Sequence, residues 1–564
     1  MRVFTIPASA PFLRTLITAL VDGRLVEGFA PRAQPELLAG ATLYLPTRRA
    51  GRMAREIFLD VLDTDAVVLP RIVTFNDIDE DEIEFAQEAP QTRFAELDTL
   101  PALDGLPRRL LLAQLIAAWA RRITPDNPAQ APLVVGGPAS TLKLADDLAR
   151  LMDDMVTRKV DWTALDGLVP DALDRYWQLT LQFLNIAREV WPDILKADGK
   201  IEPAARRDIL IEAEAARLTA HHQGPVIAAG STGSMPATAK FLRAIADLPN
   251  GAVVLPGLDT DLDDIAWQLI GGSDDSPPSS NHPQFAMHGL LARFGIKRSD
   301  VEILGAASGR ELLASELMRP SNATAQWHKR LAEPAVVQAI DSGMTRLAVI
   351  AAANPEMEAL AIAVAMREAR ELDLSAALVT PDRALARRVM AALGRWNLEF
   401  DDSGGDALMD TPHGIFARLA AEAAAEGLEP ATLLALLKHP QLRLGRAADG
   451  WRHEIQTLEM ALLRGTRPEA QSAGLAQDFT RYRHELAELK AGRPSALHPS
   501  EPRARLIDQR LDDAQNLIAQ LRAALAPLES LDRFKPHDFA ELAARHQDVI
   551  MALSRDDAEL PLCP

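Results

Sequence analysis

In the first part of the chain, short runs of consecutive apolar residues alternate with stretches of helical spacing. Residues 3–6 (Val-Phe-Thr-Ile) read as a strand buried on both faces. Over 11–25, Phe12, Leu16, Ala19 and Leu20 recur at helical intervals, with Pro11 suited to a first helical turn. Residues 41–46 read as a second strand, followed by Thr47 as an N-cap and a helix through Leu62, and 67–69 as a third strand. An acidic run, 77–84, intervenes, and from about 100 to 220 only helical patterns occur, such as 108–121, 141–156 and 172–190.

Strands return at 225–229 and 252–255, separated by a glycine turn and a helix over 237–246. A helical block inserted between strand–helix units predicts an α/β domain with a parallel sheet. The loop 271–283 follows, rich in Gly, Ser, Asp and Pro. A second α/β unit opens near Arg346: strand 347–352, helix 356–372, strand 376–379, helix 382–393. Beyond the turn 401–405 the pattern is helical to the end, broken at 492–502, and no fixed-period repeat is present.

A chain of 564 residues exceeds the roughly 250–300 at which one core stops growing, so two or more domains are expected. Apolar (48%) and charged (25%) fractions are those of an ordinary globular protein. No stretch approaches the roughly 20 apolar residues of a membrane span, and the start is too short an apolar run for a signal peptide, so a cytoplasmic, membrane-free protein is expected. The single cysteine, Cys563, excludes an internal disulfide and any multi-cysteine metal site. A net charge of −19 argues against coating DNA with the whole surface, while leaving room for a local basic path.

Several segments bear on chemistry. A P-loop needs glycines whose N–H groups wrap phosphate, a lysine, and a hydroxyl for magnesium. The first strand–helix turn offers Ile6-Pro7-Ala8-Ser9-Ala10-Pro11-Phe12-Leu13, with neither glycine nor lysine. In Leu45-Pro46-Thr47-Arg48-Arg49-Ala50-Gly51-Arg52-Met53-Ala54-Arg55, four arginines fall at a strand's mouth and a helix start. That placement suits phosphate oxygens, or is a solvated basic face paired with the acidic run that follows. Gly230-Ser231-Thr232-Gly233-Ser234 reads either as an anion-cradling nest or as a tight structural turn, and is not a nucleophile elbow. Gly257-Leu258-Asp259-Thr260-Asp261-Leu262-Asp263-Asp264 lacks the glycine and glutamate of a calcium loop. The histidines show no metal-ligand spacing, and Glu488-Leu489-Lys490, a nuclease-like triplet, falls in a helical pattern.

Together these segments resemble the AddB family, the second subunit of AddAB helicase–nucleases, of the alphaproteobacterial type and in its N-terminal half. The resemblance rests on Leu45-Pro46-Thr47-Arg48-Arg49-Ala50, on Ile72-Val73-Thr74-Phe75-Asn76-Asp77-Ile78-Asp79-Glu80 and on Ala229-Gly230-Ser231-Thr232-Gly233-Ser234-Met235-Pro236. Val254-Leu255-Pro256-Gly257-Leu258-Asp259, Asp402-Ser403-Gly404-Gly405 and Leu436-Leu437-Lys438-His439-Pro440 extend it in the same order along the chain.

The resemblance implies two RecA-like, superfamily 1 helicase-like parallel-sheet domains, each interrupted by a helical insertion. Residues 1–330 would form the first, with its insertion near 95–220; 331–410 would open the second, and 411–564 would be its insertion. The arginine-bearing unit would be the helicase strand that lies along single-stranded DNA, giving Thr47, Arg48, Arg49 and Arg52 as DNA contacts and Phe75 as a stacking residue. Gly230, Ser231, Thr232, Gly233 and Ser234 would stand at a degenerate Walker B position, without the acidic pair that holds magnesium.

The implied function is double-strand break repair and recombination. The chain would be the motor-dead DNA-binding subunit beside an AddA-type helicase–nuclease, scanning single strands for a Chi-like signal. An iron–sulfur cluster and Mg are expected only in a C-terminal nuclease half that this sequence lacks, so no cofactor and no nuclease activity are assigned here, and a truncated product is expected. The alternative is a nucleotide- or phosphate-dependent transferase using the turn 230–234.

Overall fold

Six short strands form one all-parallel sheet in the order β3-β2-β4-β5-β1-β6. They are β1 (Val3–Ile6), β2 (Thr42–Leu45), β3 (Arg71–Thr74), β4 (Val226–Ala229), β5 (Gly251–Pro256) and β6 (Glu302–Ile303). The chain's computed structural model describes residues 1–75, 99–122, 137–165, 180–181, 183–221, 224–273, 276–447, 449–532 and 535–558. They fall into two units, Met1–Val349 and Ile350–Pro564. Among the described residues no helix is long and apolar enough to cross a membrane.

The continuous apolar runs of the strands follow from burial on both faces. Phe4, Ile6, Leu43, Leu45, Ile227, Ala229, Ala252 and Val254 meet one helical layer, α1 (Phe12–Val21) and α2 (Arg48–Leu62), through Leu16, Ile17, Leu20, Ala54 and Phe58. The alternate residues Val3, Tyr44, Val226, Ala228, Val253 and Leu255 meet the other layer. That layer contains α3 (Pro203–His221) and α4 (Pro236–Asp247), with Phe241 and Leu242 at its centre, and the helix Phe285–Phe294. Connections from β1 to β2 to β3 run one way along the sheet and those from β4 to β5 to β6 run the other. Right-handed crossovers therefore put the two sets of helices on opposite faces.

Between β3 and β4 the described residues are helical, as read from the sequence. Gly105–Arg122 and Pro138–Arg158 pack with Trp191 around a core of their own that includes Leu112, Ile116, Leu148 and Met152. Residues 172–179 and 182 of the helix expected over 172–190, and all of the acidic run 77–84, lie outside the described residues.

In the second unit the helices Pro412–Ala425, Pro430–Leu437, Gln471–Lys490, Asp508–Glu529 and Phe539–Ser554 enclose Phe416, Leu433, Phe479, Leu517 and Leu521. Glu488-Leu489-Lys490 closes one of them, as expected. Pro355–Glu371 and Arg383–Gly394 pair over a smaller core of Ala359, Ala363 and Val389. Asn354 and Asp382 cap them, Asn354 accepting from Met357 N at 2.9 Å and Asp382 from Ala384 N at 2.7 Å.

Three strand expectations are corrected. The third strand is Arg71–Thr74, not 67–69; the chain enters the ladder after Pro70, where Arg71 N reaches Ala41 O at 2.9 Å. Residues 347–352 and 376–379 form no strand and join no ladder among the described residues, and Val349 and Val379 are 89% and 94% exposed. Apolar, β-branched sequence permits a strand, but the ladder needs a neighbour to meet its N–H and C=O groups.

Candidate nucleic-acid interface at the carboxyl edge of the sheet

Parallel strands bring all their carboxyl ends to one edge, and ligands of open α/β sheets bind there where the direction of connection reverses. This sheet reverses between β1 and β5 and between β2 and β4. Described residues pack closely at both mouths.

At the first mouth, Gly257 (φ +60°) follows β5, and a Cβ there would lie 3.2 Å from the Cβ of Ala8 in the β1–α1 turn. The Ser9 hydroxyl of that turn donates to the Glu311 carboxylate, and Ser308 N donates to Ser9 Oγ at 2.9 Å. Gly309 N donates to Glu311 Oε2 at 3.0 Å. Burial pushes the Glu311 carboxyl up, but the bonds from Ser9 and the backbone N–H groups of Glu311, Gly309 and Ser308 outweigh it and hold it below the ordinary glutamate value. Asp261 is pushed up by burial and by the charges of Asp259 and Glu311. The Ser9 hydroxyl, in the turn where a P-loop would stand, thus holds a carboxylate, and the neighbouring charges repel a second anion.

Sequence reading missed Glu311, which is far from the turn in the chain and carries no local signal. The aspartates of 257–264 are spent on structure. Asp259 Oδ1 accepts from Asp261 N and Leu262 N at 2.9 Å each. Asp263 caps the helix Asp264–Ile270 and pairs with the buried Arg319. Asp264 pairs with Arg298 at 2.9 Å.

At the second mouth, Gly230 (φ +82°) would place a Cβ 3.2 Å from Pro46 Cδ and 3.4 Å from Phe12 Cε1. The Gly233 N–H is taken by Ser231 Oγ at 3.2 Å, and Gly233 O accepts from Arg293 Nη1 at 3.3 Å. Thr232 is half-buried and Ser234 is exposed. These bonds and contacts are those of a packed turn, and its donors do not converge on an empty cradle.

Beside this closed edge α2 begins. Thr47 Oγ1 accepts from Ala50 N at 3.1 Å, so Thr47 is the N-cap the sequence predicts. Arg48 and Arg49 occupy the first turn, Arg52 the next, and all three are exposed. That first turn contains no acidic residue. Cations at a helix start oppose the macrodipole by about 0.3–1 kcal/mol each. An anion placed there would gain from both the arginines and the helix end.

Phe75 is not at this surface. It is 8% exposed, extends the ladder through Phe75 N to Leu45 O at 3.1 Å, and stacks on Tyr44 with centroids 6.3 Å apart and on the edge of Phe241 at 6.0 Å. The stacking role expected of it is corrected to a core role, because the ladder runs one residue past β3 and turns the ring onto the α3–α4 face. Phe75→Leu is accordingly expected to lower stability by about 1 kcal/mol in denaturant titration while leaving single-stranded DNA affinity unchanged.

No family model matches this sequence, and no curated protein matches it.

Proposed function

We propose that the first unit is a helicase-shaped DNA-binding scaffold without a motor, the DNA-binding arm of an AddAB-type complex that processes broken double-stranded DNA for recombination. The observation that carries the reading is the pairing of a closely packed nucleotide edge with an exposed, arginine-bearing helix start. The turns after β1 and β4 share one edge, separated by β5 alone, as a site built from a P-loop and a Walker B pair requires. Glu311, Phe12 and Pro46 fill that edge, while Thr47, Arg48, Arg49 and Arg52 flank it at the start of α2. The RecA-like reading gains from this order and from the helical insertion between β3 and β4. A second core domain would open with the apolar segments 347–352 and 376–379, each followed by a helix. An AddA-type partner would supply ATP-driven unwinding, and the arm would scan the single strand for a Chi-like signal.

Arg48→Ala/Arg49→Ala/Arg52→Ala tests this by fluorescence titration of single-stranded DNA across a salt series. We expect about a tenfold or larger loss of affinity and a log–log salt slope shallower by about 0.7 for each phosphate contact removed. Unchanged affinity and slope would remove α2 from the interface. Co-purification with an AddA-type subunit tests the partner.

A further inference from the structure

The second unit holds a cavity of about 550 Å³ between the end of the helix Pro430–Leu437, the loop after it and the helix Arg452–Leu458. Its volume lies within the range of small-ligand sites, roughly 300–1,000 Å³, and far exceeds that of a lone inorganic anion. Part of its lining is Leu437-Lys438-His439-Pro440, a segment to which the DNA-binding reading above gives no role.

In a chain of net charge −19, cations outnumber carboxylates two to one in this lining: Lys438, Arg443, Arg452 and Arg464 face Asp449 and Glu459. Glu459, whose side chain is largely buried, accepts from Lys438 Nζ at 2.8 Å and from Arg464 Nη2 at 2.8 Å. These bonds hold its carboxyl below the ordinary glutamate value, so one anion anchors two cations and leaves a positive excess. The Arg443 guanidinium donates to the Leu442 carbonyl at 3.0 Å, and its charge meets no carboxylate among the described residues. Arg452 is exposed, and its side chain makes no hydrogen bond or ion pair among the described residues. His439 Nδ1 accepts from Gln441 N at 3.2 Å, which leaves Nε2 as the N–H of the neutral ring. The apolar part of the lining comes from Leu442, Ile455 and Met460, with Trp451 held beneath by its indole bond to Arg443 O at 2.7 Å.

We propose that this cavity binds a nucleoside phosphate, its phosphate meeting Lys438, Arg452 and Arg464 and its base or sugar lying against Leu442, Ile455 and Met460. Arginine forks and a lysine suit phosphate oxygens, and apolar walls suit the flat base. The ligand is a free nucleotide or one nucleotide of a strand.

Calorimetric titration of the full chain with dAMP, deoxyadenosine and an oligodeoxyadenylate tests the proposal. We expect saturable dAMP binding, weakened about tenfold or more in Lys438→Ala/Arg452→Ala and in deoxyadenosine, which lacks the phosphate. Arg418→Ala, at an exposed arginine of the second unit outside this lining, should leave dAMP affinity unchanged. Tighter binding of the oligonucleotide, still sensitive to Lys438 and Arg452, assigns the ligand to a strand; weaker or equal binding assigns it to a free nucleotide. Both altered side chains are exposed, and circular dichroism verifies folding of the double variant. The proposal falls if neither dAMP nor the oligonucleotide binds at millimolar concentration, or if both bind the folded double variant as tightly as the unaltered protein.

Discussion

Glu214→Ala should be among the most destabilising single changes in the first unit, costing about 3–5 kcal/mol. Glu214 lies on α3, 4% exposed, and accepts the hydroxyl of Tyr44 on β2. Its two oxygens also receive Arg217 Nε at 2.6 Å and Nη2 at 2.7 Å. Removal leaves a buried tyrosine hydroxyl and a largely buried guanidinium without their acceptor, which is the costly half of an ion pair. Glu214→Leu/Arg217→Met, which removes both charges at similar volume, should recover much of the loss, and Tyr44→Phe should cost only about 1 kcal/mol.

The pH dependence has a definite sign. Burial pushes the Glu214 carboxyl up, but Arg217 and then the Tyr44 hydroxyl outweigh it, so the folded value lies below the ordinary one. Its contribution is therefore present above the unfolded glutamate pKa of about 4.3 and is lost as pH falls through the lower folded value. Burial and Glu214 push the Tyr44 hydroxyl up, so that part is lost only as pH rises beyond the ordinary tyrosine value of about 10. Because the chain has two units, urea titration should be read by hydrogen exchange at β2 and β4. A loss below about 1 kcal/mol near neutral pH would show that the triad does not join α3 to the sheet.

What could be read without coordinates divides along the range of the forces involved. β1 and α2 lie where the pattern puts them, Val3–Ile6 and Arg48–Leu62, because consecutive apolar residues and an N-cap such as Thr47 act over a few positions. The same holds for Asp382 at the start of Arg383–Gly394. Pairing is not local. Nothing within 347–352 distinguishes it from β4, yet only β4 has neighbours on both sides. β6 escaped notice because it is two exposed residues, Glu302 and Ile303, that pair with β1 at the edge of the sheet.

At the site, the arginines of α2 were legible as charge at a helix start. The closure of the edge was not, since Glu311 reaches the Ser9 turn across 302 positions of chain. Phe75 shows the converse error: an aromatic next to a polar loop looks available until the register turns its ring inward.

Gly233→Ala separates the two readings of the turn after β4. Gly233 sits at φ +60°, and an added Cβ would lie 2.6 Å from Leu290 Cδ1 and 3.3 Å from Leu242 Cδ1. Leu290 is fully buried against Phe241 and Met287, so it cannot swing aside without disturbing the α4 face of the sheet. The left-handed backbone costs about 1–2 kcal/mol and the overpacking about 1–3 kcal/mol. We expect a total loss of about 2–5 kcal/mol, larger than that of Ser234→Ala, whose side chain is exposed and should change stability by less than about 0.5 kcal/mol. An anion cradle would behave in the opposite way: Gly233→Ala would keep its stability while losing phosphate binding, and Ser234→Ala would weaken that binding too. Denaturant titration and equilibrium dialysis with ATP and magnesium on both variants distinguish the cases. A stable Gly233→Ala protein that has lost tight ATP binding would reopen the edge as a nucleotide site. An unstable one, from a parent that binds no ATP, leaves the glycine as a packing position, its missing Cβ making room for Leu290 and Leu242 in the turn after β4.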